Sequence, residues 1–251
     1  AVSSLNIVFG RTNSLMINTL FSGQMRPFIV NDMVCIWGNN FNFTSGAHAS
    51  SEDNQVRKLS WNWYDGALPV YAPAYRYAPK FVDVASNNST ALAIDTKGKI
   101  WAVGNRVEGT GLTTTPTGTT AIGAAPSTGL APVGFWQANA NLFAAKVFLN
   151  DGRNAPANNV AAVLTTDNEV YMAGNNQFGT LGQGNTTTTA NWVKLSLTNV
   201  IDVKLLEYTA LFLTANGDLY LTGFIDIIGG ATTRSTPVLL LTGVANFDYH
   251  I

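Results

Sequence analysis

Two histidines and one cysteine set a low ceiling on the nucleophilic and metal chemistry open to this chain. His48 falls in a polar stretch and His250 stands next to the last residue, so neither a Ser-His-Asp triad nor a His-built zinc centre is expected. Cys35 lies inside the strand-like run MVCIW with no histidine near it in sequence, which suits a packed thiol better than a nucleophile. Carboxylates are the only abundant catalytic type. Glu52, Asp53, Asp65, Glu108 and Asp151 sit in loop-like stretches where a glycosidase-type pair could form, although loop acids are ordinarily solvated. The stretch NDGRNAPANN (150–159) has one acidic side chain where a calcium loop needs several at alternate positions. GTLGQG (179–184) has the glycines of a phosphate-cradling loop but no following Lys-Ser or Lys-Thr and no helix after it. No catalytic residue, metal or cofactor is therefore expected, and the chain reads as a non-enzyme.

Aromatic side chains point elsewhere. Phe41, Phe43, Trp61, Trp63, Tyr64, Tyr71, Tyr75 and Tyr77 crowd into one insertion. Such a segment either packs its own small core or offers a recognition surface, because Trp and Tyr combine a large apolar face with a polar tip. In WNWYDG, an extended backbone projects Trp61 and Trp63 to one side, while Asn62 and Asp65 can hydrogen-bond. Trp61, Asn62, Trp63, Tyr64, Asp65, Tyr71 and Tyr75 are the candidate binding residues. The other long insertion, 106–131, is small and polar and reads as a loop ordered by a partner or not at all.

Composition narrows the partners. Fourteen Lys plus Arg nearly balance fifteen Asp plus Glu among 251 residues, so no field exists to draw nucleic acid or an anionic membrane surface. No apolar run approaches a membrane-spanning helix, and insertion into a membrane is not expected. The opening AVSSLNIVFG has neither an initiator Met nor the charged and apolar regions of a targeting peptide.

The elements that must carry these residues repeat. RPFIVNDMVCIWGNN (26–40), TALAIDTKGKIWAVGN (90–105), VAAVLTTDNEVYMAGNN (160–176) and TALFLTANGDLYLTGF (209–224) each run from an apolar strand through a polar turn into an alternating strand that ends near a glycine. That is a β-hairpin pattern. The closing glycines, Gly38, Gly104, Gly174 and Gly223, are expected at equivalent places. In VYMAGNNQFGTLGQGN, Gly174, Asn175 and Asn176 form the turn that ends a strand. A further strand is expected before each hairpin (16–21, 81–86, 142–149, 200–206) and another after it (69–72, 132–136, 192–195, 237–241). Four-stranded antiparallel units without helices bury their faces only on one another, which predicts an all-β fold, a β-propeller with about four blades. The units are approximately 16–72, 81–136, 142–195 and 200–241 within one domain, 1–251.

The pattern T-A-L-x-x-T, a tight turn, G-x-[VIL]-[YW]-x-x-G-x-N and then G-x-L-G-x-G resembles the repeat of the regulator of chromosome condensation family. Thr209 to Gly223 and Val170 to Gly184 carry it best. The resemblance implies a propeller that usually closes with seven blades. Residues 4–9 match the last strand of a preceding blade and 243–251 the first strand of a following one, so the chain is expected to be part of a larger or multi-chain propeller, a composite fifth blade being the alternative. Low charge and Thr- and Asn-rich loops suggest a virion-associated (phage tail or fibre) or bacterial surface module. Its expected location is the virion or extracellular surface, and its expected partner a host-surface glycan or a neighbouring structural protein. The family's nuclear members imply the alternative: an intracellular guanine-nucleotide exchange factor or protein-interaction scaffold.

Overall fold

The computed structural model describes residues 7–9, 11–12, 26–37, 57–58, 79–87, 90–104, 130–150, 159–227 and 230–247. Two short strands, β1 (Ile7–Phe9) and β2 (Arg11–Thr12), enter different sheets. The first sheet orders β1, β3 (Arg26–Val30), β4 (Met33–Trp37) and β5 (Arg57–Lys58). The second has β2, β6 (Phe81–Ser86), β7 (Thr90–Asp95), β8 (Ile100–Gly104) and β9 (Ala131–Pro132), followed by a short helix α1 (Gly134–Ala138). The third is β10 (Ala144–Leu149), β11 (Val160–Thr165), β12 (Val170–Gly174) and β13 (Thr189–Lys194). The fourth is β14 (Val200–Leu205), β15 (Thr209–Thr214), β16 (Leu219–Ile227) and β17 (Gly230–Leu241). Among the described residues the fold is thus all-β apart from one helical turn, built of several small antiparallel sheets that resemble propeller-type repeats.

The central hairpins form where the sequence pattern puts them. Asn31 and Asp32 take φ of 50° and 65°, the paired left-handed residues of a two-residue hairpin turn. The three longer turns each place Gly98, Asn168 or Gly217 at positive φ. Their first residue caps the turn with its side chain: Asp95 Oδ1 accepts from Lys99 N at 2.9 Å, Thr165 Oγ1 from Glu169 N at 3.1 Å and Thr214 Oγ1 from Asp218 N at 3.2 Å. Gly104, Gly174 and Gly223 then lie opposite Thr90, Val160 and Thr209, one rung in three sheets. Gly38 lies outside the described residues.

Burial follows strand alternation. Leu92, Ile94, Ile100 and Ala102 of the second sheet pack on Val147, Leu149, Ala161 and Val163 of the third. Ala162, Leu164, Val170 and Met172, on the third sheet's opposite face, pack on Val203, Leu205, Ala210 and Phe212 of the fourth. One bond repeats at each junction: the first residue of a sheet's inner strand donates its N–H to the turn of the sheet before. Phe81 N bonds Asp32 O (2.8 Å), Ala144 N bonds Gly98 O (2.9 Å) and Val200 N bonds Asn168 O (3.0 Å). Val244 N makes the same bond to Gly217 O at 2.8 Å.

Four details differ from the expected boundaries. Ile7–Phe9, expected as the last strand of a preceding unit, pairs antiparallel with Phe28–Val30 and is the edge of the first sheet. The segments 16–21 and 69–72 lie outside the described residues, and Arg57–Lys58 is the strand paired beyond β4. Arg11–Thr12 adds a parallel edge to the second sheet, making it five-stranded, because its backbone groups find partners at Ala85 and Ser86. Residues 134–138 coil instead of extending: Trp136 turns inward to full burial against Trp192 and Tyr171, which an extended backbone leaving β9 would not allow. Among the described residues no helix is long and apolar enough to cross a membrane.

Candidate interaction face

Each sheet has a turn end, where the hairpin turns and the described connections from one sheet to the next lie, and an opposite loop end. The loop end is closed by the signature stretch that follows β12. Leu181 plugs into the junction between the third and fourth sheets, fully buried. Thr180 Oγ1 donates to Tyr208 O (2.8 Å), Thr222 Oγ1 donates to Thr180 O (2.6 Å), and Phe178 packs its ring on Tyr208 and Phe224. Asn176 holds the loop's shape, its Oδ1 accepting from Leu181 N at 2.8 Å. Gly179 is glycine because the strand beyond it leaves no room: a Cβ there would stand 2.6 Å from Ser235 Cα, at φ +75°. GTLGQG is therefore a clamp between sheets and not a phosphate site.

Asparagines continue this closure inward. Asn87 Nδ2 donates to Asn150 O (3.2 Å) and Asn159 Oδ1 (3.0 Å), and Asn150 Nδ2 donates to Glu207 O (3.2 Å). The ends of NDGRNAPANN thus serve inter-sheet bonding. Among the described residues no group of three or more His, Cys, Asp or Glu could hold a metal ion. His48, His250, Glu52, Asp53, Asp65, Glu108 and Asp151 lie outside them. Cys35 is buried within β4.

The turn end is where apolar surface shows. The inner strands β6, β10 and β14 each carry a bulge at the second residue, between Phe81/Asp83, Ala144/Lys146 and Val200/Asp202. A bulge turns one side chain out of the ladder. Val82 is consequently 48% exposed and Ile201 39%, and Phe143, just before β10, is 43% exposed. Neighbouring inner strands are tied together beneath them: Val147 N donates to Asp83 Oδ2 at 3.1 Å, and Lys146 Nζ to Ile201 O at 3.5 Å. Lys99 stiffens the same rim. Its ammonium donates to the carbonyls of Asn139 (2.8 Å), Ala140 (3.3 Å) and Leu142 (2.9 Å) and lies 5.0 Å from the centre of the Phe143 ring. Burial pushes its pKa below the usual lysine value, against the opposing pull of Asp95.

Of the sequence-derived candidates, Trp61, Asn62, Trp63, Tyr64, Asp65, Tyr71 and Tyr75 lie outside the described residues. They fall in the chain between Lys58, which pairs with Cys35 in the middle of β4, and Pro79, which leads into β6. Val82, Phe143 and Ile201 were not legible as a set, since each belongs to an ordinary strand-like run. Only the shared bulge singles out Val82 and Ile201.

No family model matches the sequence, and no curated protein does. Solved structures do match. Human WBSCR16 superposes with a TM-score of 0.66 at 16% identity over 97% of this chain and 55% of its own. Yeast RCC1 (Prp20), solved with Kap60 bound, superposes at 0.58 and 18% identity over 87% of this chain and 48% of its own. Prp20p of Saccharomyces cerevisiae, described with its binding to Gsp1p and histones, gives 0.57 and 18% over 87% and 50%. This chain spans about half the length of these proteins. The likenesses correct the expected setting: they are to human and yeast proteins, not to phage or bacterial surface proteins, so the virion or extracellular location and the glycan partner are withdrawn. Composition misled because Asn and Thr, taken as marks of an exposed fibre, are spent on turns and inter-sheet bonds. What the chain shares with WBSCR16 and Prp20 is a fold, the run of small antiparallel sheets found in the regulator of chromosome condensation.

Proposed function

We propose that this chain is a non-catalytic propeller-type module that binds another protein through its turn end. The observation that carries the reading is the run of Val82 and Ile201, exposed apolar side chains on the bulges of β6 and β14, with exposed Phe143 just before β10 between them, over a rim stiffened by Lys99. Exposed apolar groups held on a rigid frame are what a protein partner buries. Prp20, which shares the fold, was solved with the protein Kap60 bound, and this supports a partner of the same class. The insertion with Trp61, Asn62, Trp63, Tyr64, Asp65, Tyr71 and Tyr75 joins β5 to β6, which begins at this same face, and in our reading it adds the aromatic contacts. The domain is 1–251, a run of blades within a larger or multi-chain propeller. The Val244–Gly217 bond supports this, because it repeats the bond that begins each later sheet.

A photo-reactive residue at position 82, 143 or 201 tests the proposal in cells that express the chain. It should cross-link to a protein, whereas the same residue at exposed Thr186, at the loop end, should not. Val82→Ser with Ile201→Ser should then weaken binding of that purified protein at least tenfold with the melting temperature unchanged. Equal cross-linking at both ends, or none, would refute the assignment. For the insertion, Trp61→Ala with Trp63→Ala should weaken the same binding and spare stability. A loss of roughly 3–5 kcal/mol of stability would make these rings a local core.

A further inference from the structure

Phe143 is the only aromatic among the exposed large apolar side chains of the described residues. The repeat shows that its place in the fold does not require a ring. In three sheets the residue after the turn's capping side chain donates its N–H to the residue before an inner strand: Thr96 N to Lys80 O (2.8 Å), Thr166 N to Phe143 O (3.0 Å) and Ala215 N to Asn199 O (2.9 Å). Lys80, Phe143 and Asn199 therefore occupy one equivalent position. This backbone clamp, with the bond from Ala144 N to Gly98 O beside it, fixes the main chain at Phe143 without help from a side chain. Gly98 closes on it further, since a Cβ there would stand 3.0 Å from Phe143 Cβ and 3.1 Å from its Cα.

What the clamp leaves free is the ring. Val82 and Ile201 are β-branched and restricted about χ1, whereas an exposed phenylalanine ring loses freedom on contact unless something already holds it. Lys99 is placed to do so. It is 8% exposed, and its ammonium gives hydrogen bonds to the carbonyls of Asn139, Ala140 and Leu142, the last of these directly preceding Phe143, while standing 5.0 Å over the centre of the ring. A cation withdrawn from water and laid on a ring face is held there more strongly than an exposed one. The capped turns make Glu169 and Asp218 the equivalents of Lys99 in the next two sheets. Both are acids, and Glu169 turns to its own outer strand, where its Oε1 accepts from Lys194 Nζ at 2.6 Å. The residues that lead out of their junctions are Asn199 and Gly243. Lysine and ring thus occur together at one junction, and neither occurs at the other two.

We propose that Lys99 is the positioning residue of the turn-end face: it holds the Phe143 ring in one orientation, and Phe143 so held is the anchor that the protein partner buries. The inference rests on the binding reading above and adds to it which exposed side chain carries most of the contact and what sets its geometry. Lys99 acts through the ring. An anchor ordered before contact is what makes a single aromatic side chain dominate an interface.

4-Fluorophenylalanine placed at position 143 of the 251-residue chain reads the ring by fluorine NMR with no partner present. Its signal should lie away from that of an exposed fluorophenylalanine and should move toward it in Lys99→Met, while the amides of Ala144 and Thr166 keep their slow exchange, because the backbone clamp does not use Lys99. A signal indifferent to Lys99→Met overturns the proposal. So does a shift accompanied by lost protection at Ala144 and Thr166, which would make Lys99 a support of the main chain alone. Should Lys99→Met unfold, Lys99→Gln decides, since it removes the charge and still donates to a carbonyl; an unmoved signal there overturns the proposal equally. For the protein cross-linked through the turn end, Phe143→Ala should weaken binding at least about tenfold, more than Val82→Ser or Ile201→Ser alone. Lys99→Met should weaken it about threefold, and should add nothing in the Phe143→Ala background. A further loss in that background means that Lys99 acts otherwise than through the ring, and wild-type binding by Phe143→Ala removes the anchor; either result overturns the proposal. Absence of any cross-linked protein removes the binding reading and the anchor with it, whereas the fluorine signal still decides whether Lys99 sets the ring.

Discussion

Asp95 is a buried side chain whose removal should be costly. It is 2% exposed, its Oδ1 accepts from Lys97 N and Lys99 N at 2.9 Å each, and its Oδ2 accepts from the indole Nε1 of fully buried Trp101 at 2.9 Å. Asp95→Ala strands the indole N–H and uncaps the turn. A buried donor left unmet costs about 1–3 kcal/mol, and a hydrogen bond to a charged group about 1.5–3 kcal/mol, so the loss should be about 3–5 kcal/mol. The repeat supplies its own control. Thr165 and Thr214 cap the equivalent turns through their hydroxyls, so Asp95→Thr should recover the cap and lose only the Trp101 bond, at about 1–3 kcal/mol. Urea unfolding followed by circular dichroism measures both, with Asp95→Ala repeated in a Trp101→Phe background to isolate the indole contact. In that background the cost of Asp95→Ala should fall by about 1–3 kcal/mol. If Asp95→Ala costs under about 1 kcal/mol, or the background makes no difference, the buried bond network is wrongly assigned.

Three further expectations follow from the packing and one buried charge. Gly223→Ala places a methyl group against Tyr208 O at φ +96° and should cost more than about 2 kcal/mol, whereas Gly243→Ala, at φ +71° with nothing within 4 Å, should cost about 1 kcal/mol; paired thermal melts compare them. Leu181→Ala should cost about 2–5 kcal/mol by denaturant titration, because the side chain fills the junction between two sheets. Lys99 has its pKa lowered from 10.5 by burial, so the unfolded chain holds the extra proton between the two values. The wild type should therefore gain stability as pH rises through that window, and Lys99→Met should abolish this gain in unfolding curves taken across it.

The hairpins were legible because their information is local. Asn31-Asp32 and Asn216-Gly217 announce left-handed turns, and alternation in KIWAVG and VYMAG assigns the faces. Where partners are distant, the sequence reading failed. Nothing in IVF says that it pairs with Phe28–Val30, and the Asn87–Asn150 bond joins residues 63 apart. The helix at 134–138 arises from the burial of Trp136, a tertiary demand that overrides an extended local pattern. The aromatic cluster was found by composition, whereas Val82 and Ile201 became visible only once the inner strands could be aligned on their bulges, and Phe143 only from its exposure just before β10.

The central claim is that one backbone bond ties the start of each described sheet after the first to the turn of the sheet before, and that Val244 repeats this bond beyond the last sheet. Residue-resolved amide hydrogen exchange by NMR tests it most directly. The N–H groups of Phe81, Ala144, Val200 and Val244 are bound to Asp32, Gly98, Asn168 and Gly217, and the account predicts slow exchange at all four, well below the rates of exposed turn amides such as Asp167. Exchange at Ala144, Val200 and Val244 as fast as at Asp167 would contradict it.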